Sequence, residues 1–175
     1  MNLLHGVPGP EPPKAIFAVI EVPSKGKNRY EYDVKKEAFM LEKVLEGPYT
    51  YPVDCGFIPS TWYDDSAPLD VMVLVFEPTF PGCIIRCRPI GLLRIKHSSG
   101  IDDRVLAVPA DEARLGGIKD IEDVPAHTKK EIAHFFTELR KLGGEWCELL
   151  GWEGSSEAER AIQHAINLYN RKYGR

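Results

Sequence analysis

The chain has 175 residues, with 22 Lys and Arg against 26 Asp and Glu, a net charge of −4 and a pI near 5.8. That length suits one domain with a sizeable core, and no Pro/Gly/Ser-rich linker divides it. The acidic balance excludes a nucleic-acid binder that relies on global attraction, no run of about 18 apolar residues is available to span a bilayer, and Met1-Asn2-Leu3-Leu4-His5 lacks the regions of a signal peptide. A water-soluble, cytoplasmic protein with no membrane partner is predicted.

Residues 1–14 carry four prolines and read as an irregular arm before a single domain that completes the chain 1–175. Residues 15–21, Ala-Ile-Phe-Ala-Val-Ile-Glu, then read as a mostly buried strand ended by the Glu21 carboxylate. Tyr30-Glu31-Tyr32-Asp33 alternates like a second strand, with residues 39–44 as its hairpin partner. Further strands are predicted over 71–76, 83–95 and 105–108, separated by Pro, Gly and Asp turns. Cys83 and Cys87 share the long run and would lie about 13 Å apart at about 3.3 Å per residue, too far for a disulfide. With Cys55 and Cys147 they are predicted to be free thiols.

Helices come last. Thr128-Lys129-Lys130-Glu131 and Ser156-Glu157-Ala158-Glu159 each read as a capping box, and apolar residues at helical spacing follow both, predicting helices over 128–142 and 156–173. The strand spacing predicts an α+β fold that is mainly β, a small bent barrel, with the two helices packed outside.

Between the turns and the strands lies Asp65-Ser66-Ala67-Pro68-Leu69-Asp70, followed by the apolar run from Val71. Soluble inorganic pyrophosphatases of the metal-dependent, barrel-type family carry Asp-x-Asp-Pro-x-Asp in that context, and this segment resembles theirs except for Ala67. Other segments match in family order across residues 15–173. They include Val19-Ile20-Glu21-Val22-Pro23, Tyr51-Pro52-Val53-Asp54, Gly56-Phe57-Ile58-Pro59, Arg88-Pro89-Ile90-Gly91 and Gly151-Trp152-Glu153.

The resemblance implies an OB-like five-stranded barrel, a homo-oligomer that is a hexamer in prokaryotic members, and metal-dependent hydrolysis of pyrophosphate. Asp65, Asp70 and Asp102 match the three carboxylates that hold the tightest metal, and oxygen donors of this kind suit Mg²⁺. Glu21 and Glu31 match acidic cleft positions. Arg29, Arg104 and Arg140 stand where the family has Lys, and Lys43 where it has Arg, so charge for a small phosphorylated anion is kept while its hydrogen-bond geometry changes.

Four positions change in chemistry. Cys55 and Leu139 replace phenol donors to phosphate. His97 replaces an Asp that joins a further metal, and its neutral imidazole suits Mn²⁺ or Zn²⁺ better than Mg²⁺. Ala67 removes the carboxylate that polarises the attacking water, a loss of about 3–5 kcal/mol of transition-state stabilisation for a general base worth about 10² to 10⁴ in rate. Asp54 is a candidate substitute.

Slow pyrophosphate hydrolysis is therefore the leading expectation. The alternatives are hydrolysis of another phosphorylated or phosphonylated small molecule, and a silent homologue that binds metal and phosphate.

Overall fold

Six of the eight strands fall on the apolar runs or alternations read from the sequence. The computed structural model describes residues 1–175. The strands are β1 (Ile16–Val22), β2 (Asn28–Asp33), β3 (Ala38–Val44), β4 (Asp54–Phe57), β5 (Asp70–Val73), β6 (Ile84–His97), β7 (Gly100–Pro109) and β8 (Cys147–Gly154). Helices α1 (Ala126–Leu142) and α2 (Ser155–Tyr173) flank β8.

The sheet order is β1-β4-β5-β7-β6-β8, and a further pairing of β1 with β6 closes the first five into a ring. The result is the predicted five-stranded barrel, which has no open edges of its own. One extra strand, β8, extends from β6, while β2 and β3 form a separate hairpin. A bulge between Ile20 and Val22 bends β1 as it passes β4. There Gly56 permits a backbone approach that no side chain would allow: a Cβ on it would lie 1.8 Å from the Val19 carbonyl oxygen.

Alternation along β7 divides the core. Leu106 and Val108 join a cluster with Ile132, Phe135 and Phe136 of α1, whereas Val105 and Ala107 join one with Ala158, Ala161 and Ile162 of α2. The apolar stripe of each helix thus covers the sheet. The N-terminal arm is tied to the body, with Leu4 buried and the Ser60 N–H donating to the Leu4 carbonyl at 2.7 Å. All four cysteines are free.

Three local expectations need correction. Neither helix begins with its predicted capping box: α1 follows Pro125 and α2 follows Gly154, each without a side-chain cap of its own. Asp120 serves α2 instead, accepting from the Ser155 N–H at 2.9 Å and from its hydroxyl at 3.2 Å. Two strands were not predicted: in β4 Asp54-Cys55-Gly56-Phe57 is too short and mixed to form an apolar run, and in β8 Gly151 at φ +122° and Gly154 interrupt the pattern. The first strand runs through Glu21 to Val22.

Candidate active site

Strand pairing brings the predicted acids and bases together. In the parallel β5–β7 pair Asp70 lies opposite Arg104, and Asp102 sits two residues earlier on β7. Asp65 arrives from the preceding loop. Thr61 ties that loop down, its hydroxyl donating to the Ile58 carbonyl at 2.6 Å and accepting from the Leu69 N–H at 3.0 Å. One carboxylate oxygen from each of Asp65, Asp70 and Asp102 lies within 4.8 Å of the others.

These carboxylates divide their oxygens between two tasks. Asp102 is 1% exposed, and its Oδ2 accepts from Arg140 at 2.6 Å and from Arg104 at 3.3 Å. Its Oδ1, like Asp65 Oδ1, is buried without a hydrogen-bond partner. A buried carboxylate oxygen lacking a donor is costly, and a divalent cation is the partner that three converging carboxylates fit. Burial alone would raise the Asp102 carboxyl, but Arg104 and Arg140 outweigh it and hold the group below its usual value. Asp70, desolvated and facing Asp102 and Asp65, is raised to about 7 despite Arg104. Burial and the Asp102 charge push Asp65 up as well.

A cavity of about 320 Å³ opens beside the triad. Arg29, Glu31 and Lys43 reach it from the β2–β3 hairpin, in which Arg29 and Lys43 are directly paired and so share a face. Arg104 and Arg140 enter from β7 and the last turn of α1, giving four basic side chains around one space. Arg104 lies 4.3 Å over the Phe136 ring and 3.5 Å from Asp70, which fixes its plane. Arg140 bridges Asp102 and Glu145, the latter at 2.7 Å.

Glu21 also lines the cavity, and its Oε2 accepts from the Tyr32 N–H at 2.7 Å, coupling the barrel to the hairpin. Burial, with smaller contributions from Asp70 and Glu31, raises it to about 8. A hydrogen bond with Glu42, then burial, raises Glu31 to about 7.

Three of the four altered positions face the same space. Ala67, Cys55 and Leu139 all line the cavity, so three apolar or weakly polar groups sit among the charges. Burial pushes the Cys55 thiol up, leaving it protonated at neutral pH.

Two candidates are not brought to the cavity. Asp54 is fully buried elsewhere, accepting from the Ser24 N–H at 2.7 Å and the Thr79 hydroxyl at 2.5 Å, so it is a structural clamp and no substitute base. His97 is buried at the β6–β7 turn, its Nδ1 accepting from the Ser99 N–H at 3.2 Å, and is not among the cavity walls. Glu145, Glu42 and Phe136 were not predicted as site residues. Glu145 follows the helix-ending Gly143-Gly144, and only the turn there brings it back to Arg140.

The model of the inorganic pyrophosphatase family matches residues 18–170, covering both the triad and the basic residues. The chain belongs to the inorganic pyrophosphatase family. An inorganic pyrophosphatase of Haloferax volcanii is 43% identical over 166 residues, covering 94% of each chain. One from Nostoc sp. is 39% identical over 166 residues, covering 95% of this chain and 98% of its own. The crystal structure of the inorganic pyrophosphatase from Thermus thermophilus superposes with a TM-score of 0.92 at 39% identity, covering 97% of this chain and 99% of that one. Family membership also accounts for the barrel, since solved inorganic pyrophosphatases are its structural neighbours.

Proposed function

We propose that the protein hydrolyses inorganic pyrophosphate to two phosphates with a divalent metal, Mg²⁺ foremost and Mn²⁺ or Zn²⁺ as alternatives, at a rate reduced by Ala67. The observation that carries this reading is the convergence of Asp65, Asp70 and Asp102 beside a cavity lined by four basic side chains. Asp65 Oδ1 and Asp102 Oδ1, both lacking donors, would hold the ion with Asp70. Such an ion supplies an acidified water and polarises a phosphoryl oxygen.

The chain's own residues do the rest. Arg29 and Lys43 attract and orient the anion from the hairpin, while Arg104 and Arg140, forked and held by Asp102, present fixed donors opposite. No carboxylate stands at position 67 to take the proton of the attacking water, so a water acidified by a bound ion would lose that proton to solvent. The loss at this position is about 10² to 10⁴ in rate.

Family membership supports a homo-oligomer, and a hexamer in particular. The edge strand β8 and its surroundings offer a surface for one, with Trp146, Leu149 and Leu150 about half exposed. A cytoplasmic location is proposed with it; no helix is long and apolar enough to cross a membrane.

Phosphate release from pyrophosphate with added Mg²⁺, Mn²⁺ or Zn²⁺, at high protein concentration, tests the reading. Metal-dependent release abolished by Asp70→Asn is the expected result. Metal and phosphate binding without release would point instead to a silent binding protein. The apolar trio Ala67, Cys55 and Leu139 favours a second reading, in which the phosphoryl group carries an organic substituent.

A further inference from the structure

Behind Ala67 lies a second cavity of about 240 Å³. It shares Glu21, Glu31, Ala67 and Asp70 with the first cavity, so the two spaces stand back to back across these four residues. Its remaining walls differ in kind from the charged cleft. Leu4, Val34, Phe57, Trp62 and Pro68 are apolar or aromatic, Ser66 is polar but uncharged, and the Tyr32 hydroxyl accepts from the Leu3 N–H at 3.0 Å.

No Lys or Arg is among the walls. The second cavity therefore does not continue the phosphate track, because a second phosphate there would face three carboxylates with no counter-charge. Two of these carboxylates already have partners: Glu21 accepts from the Tyr32 N–H of the hairpin and Asp70 faces Arg104. The surface that belongs to this cavity alone carries no charge at all.

These walls are also pre-formed. Tyr32 and Phe57 stack with centroids 5.8 Å apart, and the Trp62 ring is held by Lys172 at 4.6 Å and by Tyr173 at 6.2 Å. The Trp62 N–H donates to the Ala165 carbonyl of α2 at 3.0 Å. Leu4, itself buried, is a further wall fixed through its carbonyl to Ser60. A rigid apolar cavity beside a few convergent polar groups is the usual form of a small-molecule subsite.

We infer that the cavity behind Ala67 is a subsite for an uncharged apolar or aromatic substituent on a phosphoryl or phosphonyl group bound in the metal–phosphate cleft. The inference rests on the reading of that cleft as a seat for metal and phosphate. Ala67 lines both cavities, so only a methyl group stands at this point of the partition between them. An Asp there would set a negative charge and two more oxygens on the partition between the two spaces.

The test compares ligands with the same head group in the presence of Mn²⁺. Phenylphosphonate is expected to bind at least roughly tenfold tighter than methylphosphonate by calorimetry, the ring leaving water for the cavity. It should also change Trp62 emission, a signal that Trp62→Phe removes and that methylphosphonate does not produce. Val34→Trp, which fills the cavity, should bring the phenyl-to-methyl ratio to about one. If that variant does not fold, Trp62→Ala should lower the ratio at least threefold.

Equal affinities for the two ligands in the unaltered protein would overturn the inference. An undiminished ratio in a folded Val34→Trp variant would do the same, and so would tighter binding of 2-aminoethylphosphonate than of phenylphosphonate. Pyrophosphate hydrolysis measured on the same protein separates the two readings. Phosphate release with no phenyl advantage removes the subsite and leaves the pyrophosphatase, while a phenyl advantage with no release does the reverse.

Discussion

The two walls of the cleft are built differently. On the barrel side, Asp70, Asp102 and Arg104 stand on strands of a closed ring, in ladder register, with neighbours Val71 and Val105 essentially inaccessible. On the other side, Arg29, Glu31 and Lys43 stand on a two-stranded hairpin whose Met40, Leu41 and Val44 are about half exposed. That hairpin is joined to the body through the Tyr32–Phe39–Phe57 aromatic contacts and through Glu21. Charges on the barrel are positioned by backbone pairing that the whole core defends, so altering them touches stability and metal together. Charges on the hairpin can be altered at the expense of the ligand alone.

Asp102→Asn should break the barrel wall most severely. It removes a proposed metal donor and leaves Arg104 and Arg140 crowded at a neutral amide, a disruption of buried charge that typically costs about 3–5 kcal/mol. The expected result is a loss of Mn²⁺ affinity of at least roughly 100-fold by calorimetry, with a melting temperature lower by about 10 °C. Unchanged stability would show that the two arginines do not depend on this carboxylate.

The same wall can be sharpened by Ala67→Asp, which restores a carboxylate at the cavity edge. Metal-dependent pyrophosphate hydrolysis should rise by at least roughly tenfold, near the lower part of the general-base range. Cys55 and Leu139 still offer no phenol to the phosphate, so the full factor is not expected. No gain in a folded, metal-binding variant would count against pyrophosphate as the substrate.

On the hairpin wall, Lys43→Ala removes a cation that has no ion pair of its own in the structure. KM for pyrophosphate should rise about tenfold with kcat little changed, as for one charge-assisted contact in a partly wet site. The melting temperature should stay within about 2 °C, since the site is at the surface. A large loss of stability would mean that the hairpin is less independent of the barrel than its contacts indicate.

How far these walls can be read from the sequence follows from the range of the interactions. Four of the five barrel strands announce themselves as apolar runs, and Asp65 and Asp70 stand close together in one recognisable segment. Asp102 and the four basic residues become legible only through the family pattern, since their convergence depends on the β5–β7 register. Asp54 reads as a cleft acid from its neighbours in sequence, yet Ser24 and Thr79, 30 and 25 residues away, decide its role. The cap of α2 misleads for the same reason, because Asp120 acts from 35 residues upstream. The second cavity is invisible in sequence, being assembled from the arm, the hairpin, β4 and the 62–70 loop.

Glu21 joins the two walls, and its titration tests how tightly they are coupled. Burial raises its carboxyl to about 8, well above the value of about 4.5 that it has when unfolded. Ionising it therefore penalises the folded state. The penalty is absent below about pH 4.5, grows as pH rises through the interval to about 8, and is complete above that. Glu21→Gln removes the charge while keeping a carbonyl oxygen to accept from the Tyr32 N–H. Without added metal, the variant should match the unaltered protein at pH 4 and exceed it by about 1–3 kcal/mol at pH 8.5, read by urea unfolding. Added Mg²⁺ should narrow the gap, because a cation near Asp70 offsets the charge that Glu21 carries when ionised. A stability difference that does not vary with pH would show that water reaches Glu21 freely and that the hairpin stands off the barrel in solution.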